Sequence, residues 1–289
     1  MKKRVIVPIS IIVAIVILIV IGTRIVRIET DYNVAHDYDD IIKRGAINVA
    51  VNYSPISYHI EGDSITGFDF ELLQMLSEVS GIEFNIHPEA SYARSIDLLN
   101  NRTYDIVAQQ IPITSENKQE YIFSKPLLLN KQVLIQRIDS TGNTGIRNQL
   151  DLKGCTLHIA QDTPTRLRIE NLAQEIGDTI HICEMPDYGA EQLIILVATG
   201  EIDYAVCDEA SAVIIAEEYD NIDYSTDISF TQFMSWTMRK ESTSLCDSIN
   251  SWLSVVQESD KYKQLYTRYF GTKSYYKHQR INNNTSQPL

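Results

Sequence analysis

Positive charge is scarce in this 289-residue sequence, in which 25 Lys and Arg residues stand against 38 Asp and Glu residues. Five of the basic residues precede Glu29, so only 20 remain to balance all 38 acidic ones in the rest of the chain. The phosphate backbone of a nucleic acid repels a protein with such a net negative charge. We therefore expect no nucleic-acid partner.

Cysteine is also rare, and the four that occur lack the paired spacing of zinc and redox motifs. Two interpretations of Cys155, Cys183, Cys207 and Cys246 stay open. One is a disulfide outside the cytoplasm, with Cys155 and Cys183 as the first pair to test, and the other is burial as small apolar residues in strands.

Common catalytic motifs are missing too, since no GxSxG, HExxH or Walker sequence occurs. The sequence therefore contains no motif for serine-hydrolase, zinc-protease or nucleotide-binding chemistry. We expect neither a cofactor nor catalysis.

A long apolar run is present at the N-terminus, from Val5 to Gly22 behind Met1-Lys2-Lys3-Arg4. About 18 to 20 apolar residues can cross a bilayer as a helix, and positive charge in front of them favours a cytoplasmic N-terminus. We expect residues 1–28 to be a cytoplasmic tip and transmembrane anchor. The protein would then be a single-pass protein of the cell inner membrane with its bulk in the periplasm. A cleaved signal peptide, which would release the body to the periplasm, is the alternative.

The rest of the chain alternates short β-branched stretches with helical ones, which is typical of a parallel α/β sheet. The predicted strands are Ile47–Val51, Glu83–His87, Asp105–Gln109, Gln132–Arg137, Thr156–Ala160, Thr179–Cys183 and Tyr204–Cys207. The predicted helices are Phe68–Ser80, Ala93–Asn101, Ala190–Thr199, Ser211–Glu218 and Leu245–Glu258.

This alternation occurs twice. Gly45 and Gly154 each open a strand that ends in a turn carrying a proline, Pro55 or Pro164, at the same interval. Such a repeat indicates two similar lobes. After Gly271 the periodicity is lost, so we expect residues 271–289 to form a disordered tail.

Several segments carry a family resemblance. They are Thr66-Gly67-Phe68-Asp69-Phe70-Glu71-Leu72, Tyr104-Asp105-Ile106-Val107-Ala108, Ile113-Thr114-Ser115-Glu116, Phe123-Ser124-Lys125-Pro126 and Asp151-Leu152-Lys153-Gly154. In these segments the chain resembles the family 3 extracellular solute-binding proteins of the amino-acid-binding type. A second set resembles the solute-binding-like N-terminal domain of membrane-bound lytic murein transglycosylase F. It comprises Leu129–Arg137, Gly200–Tyr204, Ser229-Phe230 and Trp236–Lys240.

The resemblance implies a two-lobed type 2 periplasmic-binding fold with two crossing strands, near Gln132–Arg137 and Phe233–Arg239. Lobe 1 would comprise residues 31–137 plus 230–270, and lobe 2 residues 138–229. A small-molecule ligand would lie between the lobes and be buried by hinge closure.

The resemblance also suggests ligand-binding residues. Tyr53 and Tyr92 match the two aromatic residues that sandwich the ligand, and two phenol rings suit an apolar or sugar face. Asp208 matches the carboxylate that holds the ligand's amino group, with capping of the following helix as the alternative. Independently of the resemblance, Thr163 precedes Pro164 at an expected helix start, where it would hold an anionic or polar ligand group or cap that helix.

The carboxylate-binding part of the family pattern is altered. The serine position is Pro112, the threonine is kept as Thr114, and the arginine position is Asn117. Proline has neither hydroxyl nor N–H, and asparagine has no charge. We therefore predict that free α-amino acids do not bind in the usual pose. Arg94, Arg166 and Arg168 are candidates for a substitute charge, and Gln109 and Gln110 offer amides.

Three functions are compatible with these features. The first is a membrane-anchored sensor or regulator that binds an amino-acid-like molecule, a peptide or a cell-wall fragment. The second is the receptor of an ABC importer, with a permease as partner. The third is a regulatory part of a lytic murein transglycosylase system, with a cell-wall hydrolase as partner. The stretch after Phe270 is too short for a lysozyme-like domain.

Overall fold

The structure, a computed structural model, describes residues 38–271 except Asp162, Asp187 and Glu217, and omits the side chains of Glu61 and Gln110. The expected anchor at 1–28 and the tail beyond residue 271 lie outside the described residues. Within residues 38–271, no helix is both long and apolar enough to span a bilayer.

Helices and strands alternate along the described chain. The helices are α1 (38–44), α2 (Phe68–Ser80), α3 (Tyr92–Asn100), α4 (Asn117–Glu120), α5 (Thr165–Ile176), α6 (Ala190–Thr199), α7 (Glu209–Ala216), α8 (Thr243–Gln257) and α9 (260–271), with a 3-10 turn at Gln149–Leu152. The strands are β1 (Ala46–Asn52), β2 (His59–Glu61), β3 (Ser64–Thr66), β4 (Glu83–Glu89), β5 (Ile106–Pro112), β6 (Tyr121–Phe123), β7 (Leu128–Asn130), β8 (Gln132–Arg137), β9 (Thr156–Ala160), β10 (His181–Met185), β11 (Tyr204–Asp208), β12 (Ile222–Asp227) and β13 (Gln232–Arg239).

These strands form two main sheets of matching order. The first sheet runs β4-β1-β5-β13-β6, with β7 also paired to β13, and the second runs β10-β9-β11-β8-β12. In each sheet three parallel strands are followed by an antiparallel one, β13 beside β5 and β8 beside β11. The mixed α/β fold is confirmed, and the repeated sequence pattern has a counterpart in topology.

The chain passes between the sheets twice, next to the two strands predicted as crossings. The first passage lies at Lys131, between β7 in the first sheet and β8 in the second, and the other lies at residues 228–231, between β12 and β13. Pairing therefore groups Gln132–Arg137 with the second sheet, whereas the predicted lobe boundary grouped it with the first. The division into lobes itself stays a prediction.

The Thr66–Leu72 motif has a structural explanation in the first sheet's core. At Gly67, φ is 132°, and a Cβ atom there would lie 2.3 Å from the Ser57 carbonyl oxygen, so only glycine fits. The carboxylate of Asp69, fully buried, accepts hydrogen bonds from Ser57 Oγ at 2.7 Å and Trp236 Nε1 at 2.9 Å. The motif therefore fixes α2 against β13.

All four cysteines carry free thiols. Cys183 in β10 is registered opposite His158 in β9, whereas Cys155 immediately precedes β9, so the two candidate partners are not opposite one another. The structure thus agrees with unpaired cysteines rather than a Cys155–Cys183 disulfide.

Candidate functional site

The carboxyl ends of β5 and β11 both adjoin the passages between the sheets. Pro112, at the end of β5, is registered with Met234 just after the second passage. Asp208, at the end of β11, is registered with Gln132 just after the first. In open α/β sheets, ligands bind outside the carboxyl ends of the strands. These ends are the candidate site.

The two predicted aromatic residues differ in exposure. Tyr53 follows β1 and is 49% exposed, with its ring centroid 6.4 Å from that of Tyr58 and 6.1 Å from that of His59. Tyr92 begins α3 and is half-buried, and burial, followed by the nearby Tyr121 and Glu120, raises its pKa to about 12. Tyr53 thus offers a ring to solvent, whereas Tyr92 packs against the protein.

The loop after β5 satisfies its own polar groups. Thr114 N donates to Asn117 Oδ1 at 2.9 Å, Asn117 N donates to Thr114 Oγ1 at 3.2 Å, and Asn117 Nδ2 donates to the Pro112 carbonyl at 2.9 Å. The asparagine at the family's arginine position is therefore used to close the loop.

Asp208 is held by three donors. Ser211 N donates to Oδ1 at 2.9 Å and Ser211 Oγ to Oδ2 at 2.7 Å, which is an N-cap of α7. Asn130 Nδ2 also donates to Oδ1, at 3.1 Å. The capping alternative is thus observed. The carboxylate is half-buried, and its oxygens have capacity for a further donor.

Thr163 does not cap the helix that follows it. Its hydroxyl donates to the Ala160 carbonyl at 2.9 Å, and α5 begins two residues later with Thr165, whose hydroxyl donates to Gln132 Oε1 at 3.2 Å. Of the two amide candidates, Gln109 donates to Ser95 Oγ at 2.9 Å and to the Glu89 carbonyl. The side chain of Gln110 lies outside the described part of the structure.

The three arginines considered as substitute charges all have carboxylate partners. Arg94 lies 3.3 Å from Glu89, and Arg166 pairs with Glu184 at 2.7 Å. Arg168 pairs with Glu175 at 2.8 Å. None of the three is thus an unpaired cation. No group of three His, Cys, Asp or Glu side chains suited to a metal occurs in the described ranges.

Sequence reasoning missed a polar cluster at the first passage. Lys131 Nζ lies 2.6 Å from Asp227 and 3.1 Å from Glu209, so its ammonium links the first passage to the end of β12 and the start of α7. Asn130 links the same passage to Asp208. Both residues belong to the Leu129–Arg137 segment, but a resemblance in sequence does not reveal such partners.

A family model for bacterial extracellular solute-binding proteins, family 3, matches residues 46–272. Among curated proteins, the chain is 28% identical over 209 residues to membrane-bound lytic murein transglycosylase F of Aeromonas hydrophila, covering 72% of this chain and 41% of that protein. The transglycosylase F of Desulfosudis oleivorans is 27% identical over 233 residues, covering 80% of this chain and 50% of that protein. The chain thus matches at most half the length of these two relatives.

Solved structures share the fold. Tv2483 bound to L-arginine superposes with a TM-score of 0.72 at 22% identity, covering 82% of this chain and 96% of that one. Holo ArgBP from T. maritima gives 0.65 at 24% identity, with coverages of 80% and 99%. Because the family model matches residues 46–272, well over half of the sequence, the chain belongs to the bacterial extracellular solute-binding proteins, family 3.

Proposed function

We propose that this protein is a membrane-anchored, extracytoplasmic solute-binding protein that closes its two lobes on a small polar ligand without transforming it. Family membership and the two matching sheets support binding between lobes. The N-terminal apolar run supports the anchor.

The proposed contacts come from both sheets. Tyr53 and Tyr92 supply aromatic surface, while Gln110, Thr114 and Asn117 supply neutral polar groups. Thr163 adds a polar contact, and the Asp208 carboxylate holds a cationic or hydrogen-bond-donating group of the ligand.

One observation defines the ligand class. Asn117 closes its own loop, and Arg94, Arg166 and Arg168 are each paired with a carboxylate. These residues would therefore offer a ligand carboxylate no unpaired cation, and Lys131 at the first passage is also paired, with Glu209 and Asp227. A ligand ammonium, in contrast, would meet Asp208. The proposal is an amine-bearing ligand with a neutral far end, such as an amino-acid amide, a peptide or an amidated cell-wall fragment.

Calorimetric titration of the full chain with L-argininamide and L-arginine tests this. The two probes differ at the carboxyl end, and L-arginine is named as the bound molecule in similar solved structures. At pH 6, below the usual α-amino pKa of about 7.7–8.0, both carry an ammonium. We expect the amide to bind at least as tightly as the acid.

Glycinamide and glycine form a second pair of probes, which lack a side chain and so compare the amide with the acid alone. A site with the family's usual anchor would prefer the acid by about 2 to 5 kcal/mol. Such a preference for L-arginine would contradict the proposed ligand class.

The similarity to transglycosylase F favours a regulatory role at the cell wall over delivery to an ABC importer. Neighbouring genes discriminate between the two roles: wall-hydrolase genes indicate regulation, and permease and ATPase genes indicate import.

A further inference from the structure

Two hydroxyl groups on β13 are buried without a hydrogen-bond partner. Ser235 is 0% exposed and Thr237 1% exposed, and neither side-chain oxygen has a partner. The two residues lie two positions apart, so their side chains share one face of the strand. Buried hydroxyls of native proteins nearly always have a partner, so a pair of exceptions points to something bound there.

Helix α3 covers this face. Arg239, on the same face of β13, donates through Nη1 to the Leu99 carbonyl at 2.9 Å, near the end of α3. Helix α3 connects the parallel strands β4 and β5, so its direction is opposite to that of β5. Because β13 is also antiparallel to β5, α3 and β13 run in the same direction. Ser235 therefore lies toward the first turns of α3, where Tyr92 and Ser95 are placed.

Strand β5 is bulged beside these hydroxyls. Ser235 is registered with Ile111 and Thr237 with Val107. Between these pairs β5 has three residues, Ala108 to Gln110, where β13 has Trp236 alone. A bulge leaves backbone groups without ladder partners. Extra polar groups therefore lie next to the two hydroxyls.

We propose that Ser235, Thr237 and the β5 bulge form an internal site for ordered water. Water both donates and accepts, and two hydroxyls with bulge backbone groups supply the two to four polar partners that a buried water needs. The site supports the part of β5 that carries Gln109 and Gln110. It does not depend on the identity of the ligand.

The sign of a stability change tests the site. Thr237→Val keeps the shape and removes the hydroxyl. A water-bonded hydroxyl makes this change unfavourable, and we expect the folding equilibrium constant of the full chain to fall about 5- to 30-fold in urea unfolding. An unpartnered hydroxyl makes the change favourable, because its burial cost disappears. Thr226→Val is the matched control, since the buried Thr226 hydroxyl donates to the Ile146 carbonyl at 3.1 Å.

Oxygen-17 relaxation dispersion provides a direct measurement on the unmodified protein. We expect long-lived internal water, part of which is lost in the double variant Ser235→Ala/Thr237→Val. An unchanged or increased folding constant for Thr237→Val overturns the assignment. A dispersion signal that the double variant fully retains also overturns it.

Discussion

The two sheets bury polar groups of different kinds. In the first sheet and its helices the charged residues Asp69, Asp105 and Arg239 are at most 3% exposed. Among the described residues packed on the second sheet, buried polar side chains are neutral, as in Gln136 and Thr226. Because a buried charge requires well-placed partners, the first sheet depends on specific pairing and the second mainly on apolar packing.

The same contrast holds at the two strand ends of the candidate site. After β5, the polar groups of Thr114 and Asn117 satisfy one another. After β11, the Asp208 carboxylate is tied to Asn130 beside the passage between the sheets. Of the predicted ligand contacts, Thr114 and Asn117 after β5 are thus neutral, whereas Asp208 after β11 keeps a charge close to a passage between the sheets.

The largest expected effect comes from breaking the first sheet's buried ion pair. Arg239 donates to the carbonyls of Leu99 and Tyr104 and lies 3.6 Å from the Asp105 carboxylate. Arg239→Met should lower the free energy of unfolding by about 3–5 kcal/mol in urea titrations. The Leu99 and Tyr104 carbonyls lose their donor, and the buried Asp105 carboxylate loses one arginine partner while keeping Arg44. Gln136→Leu in the second sheet should cost only about 1–3 kcal/mol. Equal costs would remove the contrast between the sheets.

Asp208→Ala should combine a moderate stability loss with a loss of binding. Removing the cap of α7 and the Asn130 contact should cost about 0.5–2 kcal/mol in unfolding experiments. Calorimetry should show no heat with L-argininamide. Asn130→Ala removes one of the three donors and keeps the carboxylate, so it should retain binding. Full binding by the Asp208→Ala variant would place the ligand ammonium elsewhere.

Asn117→Ala should cost about 1 kcal/mol in the free energy of unfolding, because Thr114 N–H and the Pro112 carbonyl lose their partner. Asn117→Asp is the matched control. It keeps the acceptor for Thr114 N–H and loses the donor to Pro112, so its cost should be intermediate. A substitution without effect would show that the loop does not depend on this side chain.

The smallest effect concerns alkaline pH. Burial raises the pKa of Tyr104 to about 12, helped by its hydrogen bond to Glu89, and the pKa of Tyr92 also lies at about 12. The unfolded value is about 10, so the folded state binds more protons above pH 10. Stability should be unaffected at pH 8 and fall as pH rises from 10 toward 12. Urea titrations at these pH values measure the fall, which Tyr104→Phe should reduce.

Local sequence signals predicted many of the larger elements, but they gave no bounds for the helix Thr165–Ile176 or for α9. The helices Phe68–Ser80 and Ala190–Thr199 and the strands Gln132–Arg137 and Thr156–Ala160 have their predicted bounds. Short strands such as Leu128–Asn130 were missed, because three residues carry too little periodicity. The roles of Asn117 and Arg168 were not predictable either. Asn117 bonds to backbone groups of Thr114 and Pro112, and Arg168 to Glu175 and the Ile228 carbonyl, and the conformation of the folded chain determines these contacts.

The sequence by itself determined the α/β alternation, its repetition, the acidic body and the family, because these follow from residue order and composition. Only the tertiary structure decided where the chain changes sheets, that the candidate arginines are neutralised, and that Asp208 is held by Asn130, 78 positions earlier. The physical reason is that hydrogen bonds and ion pairs act over a few ångströms, whatever the separation of the partners along the chain.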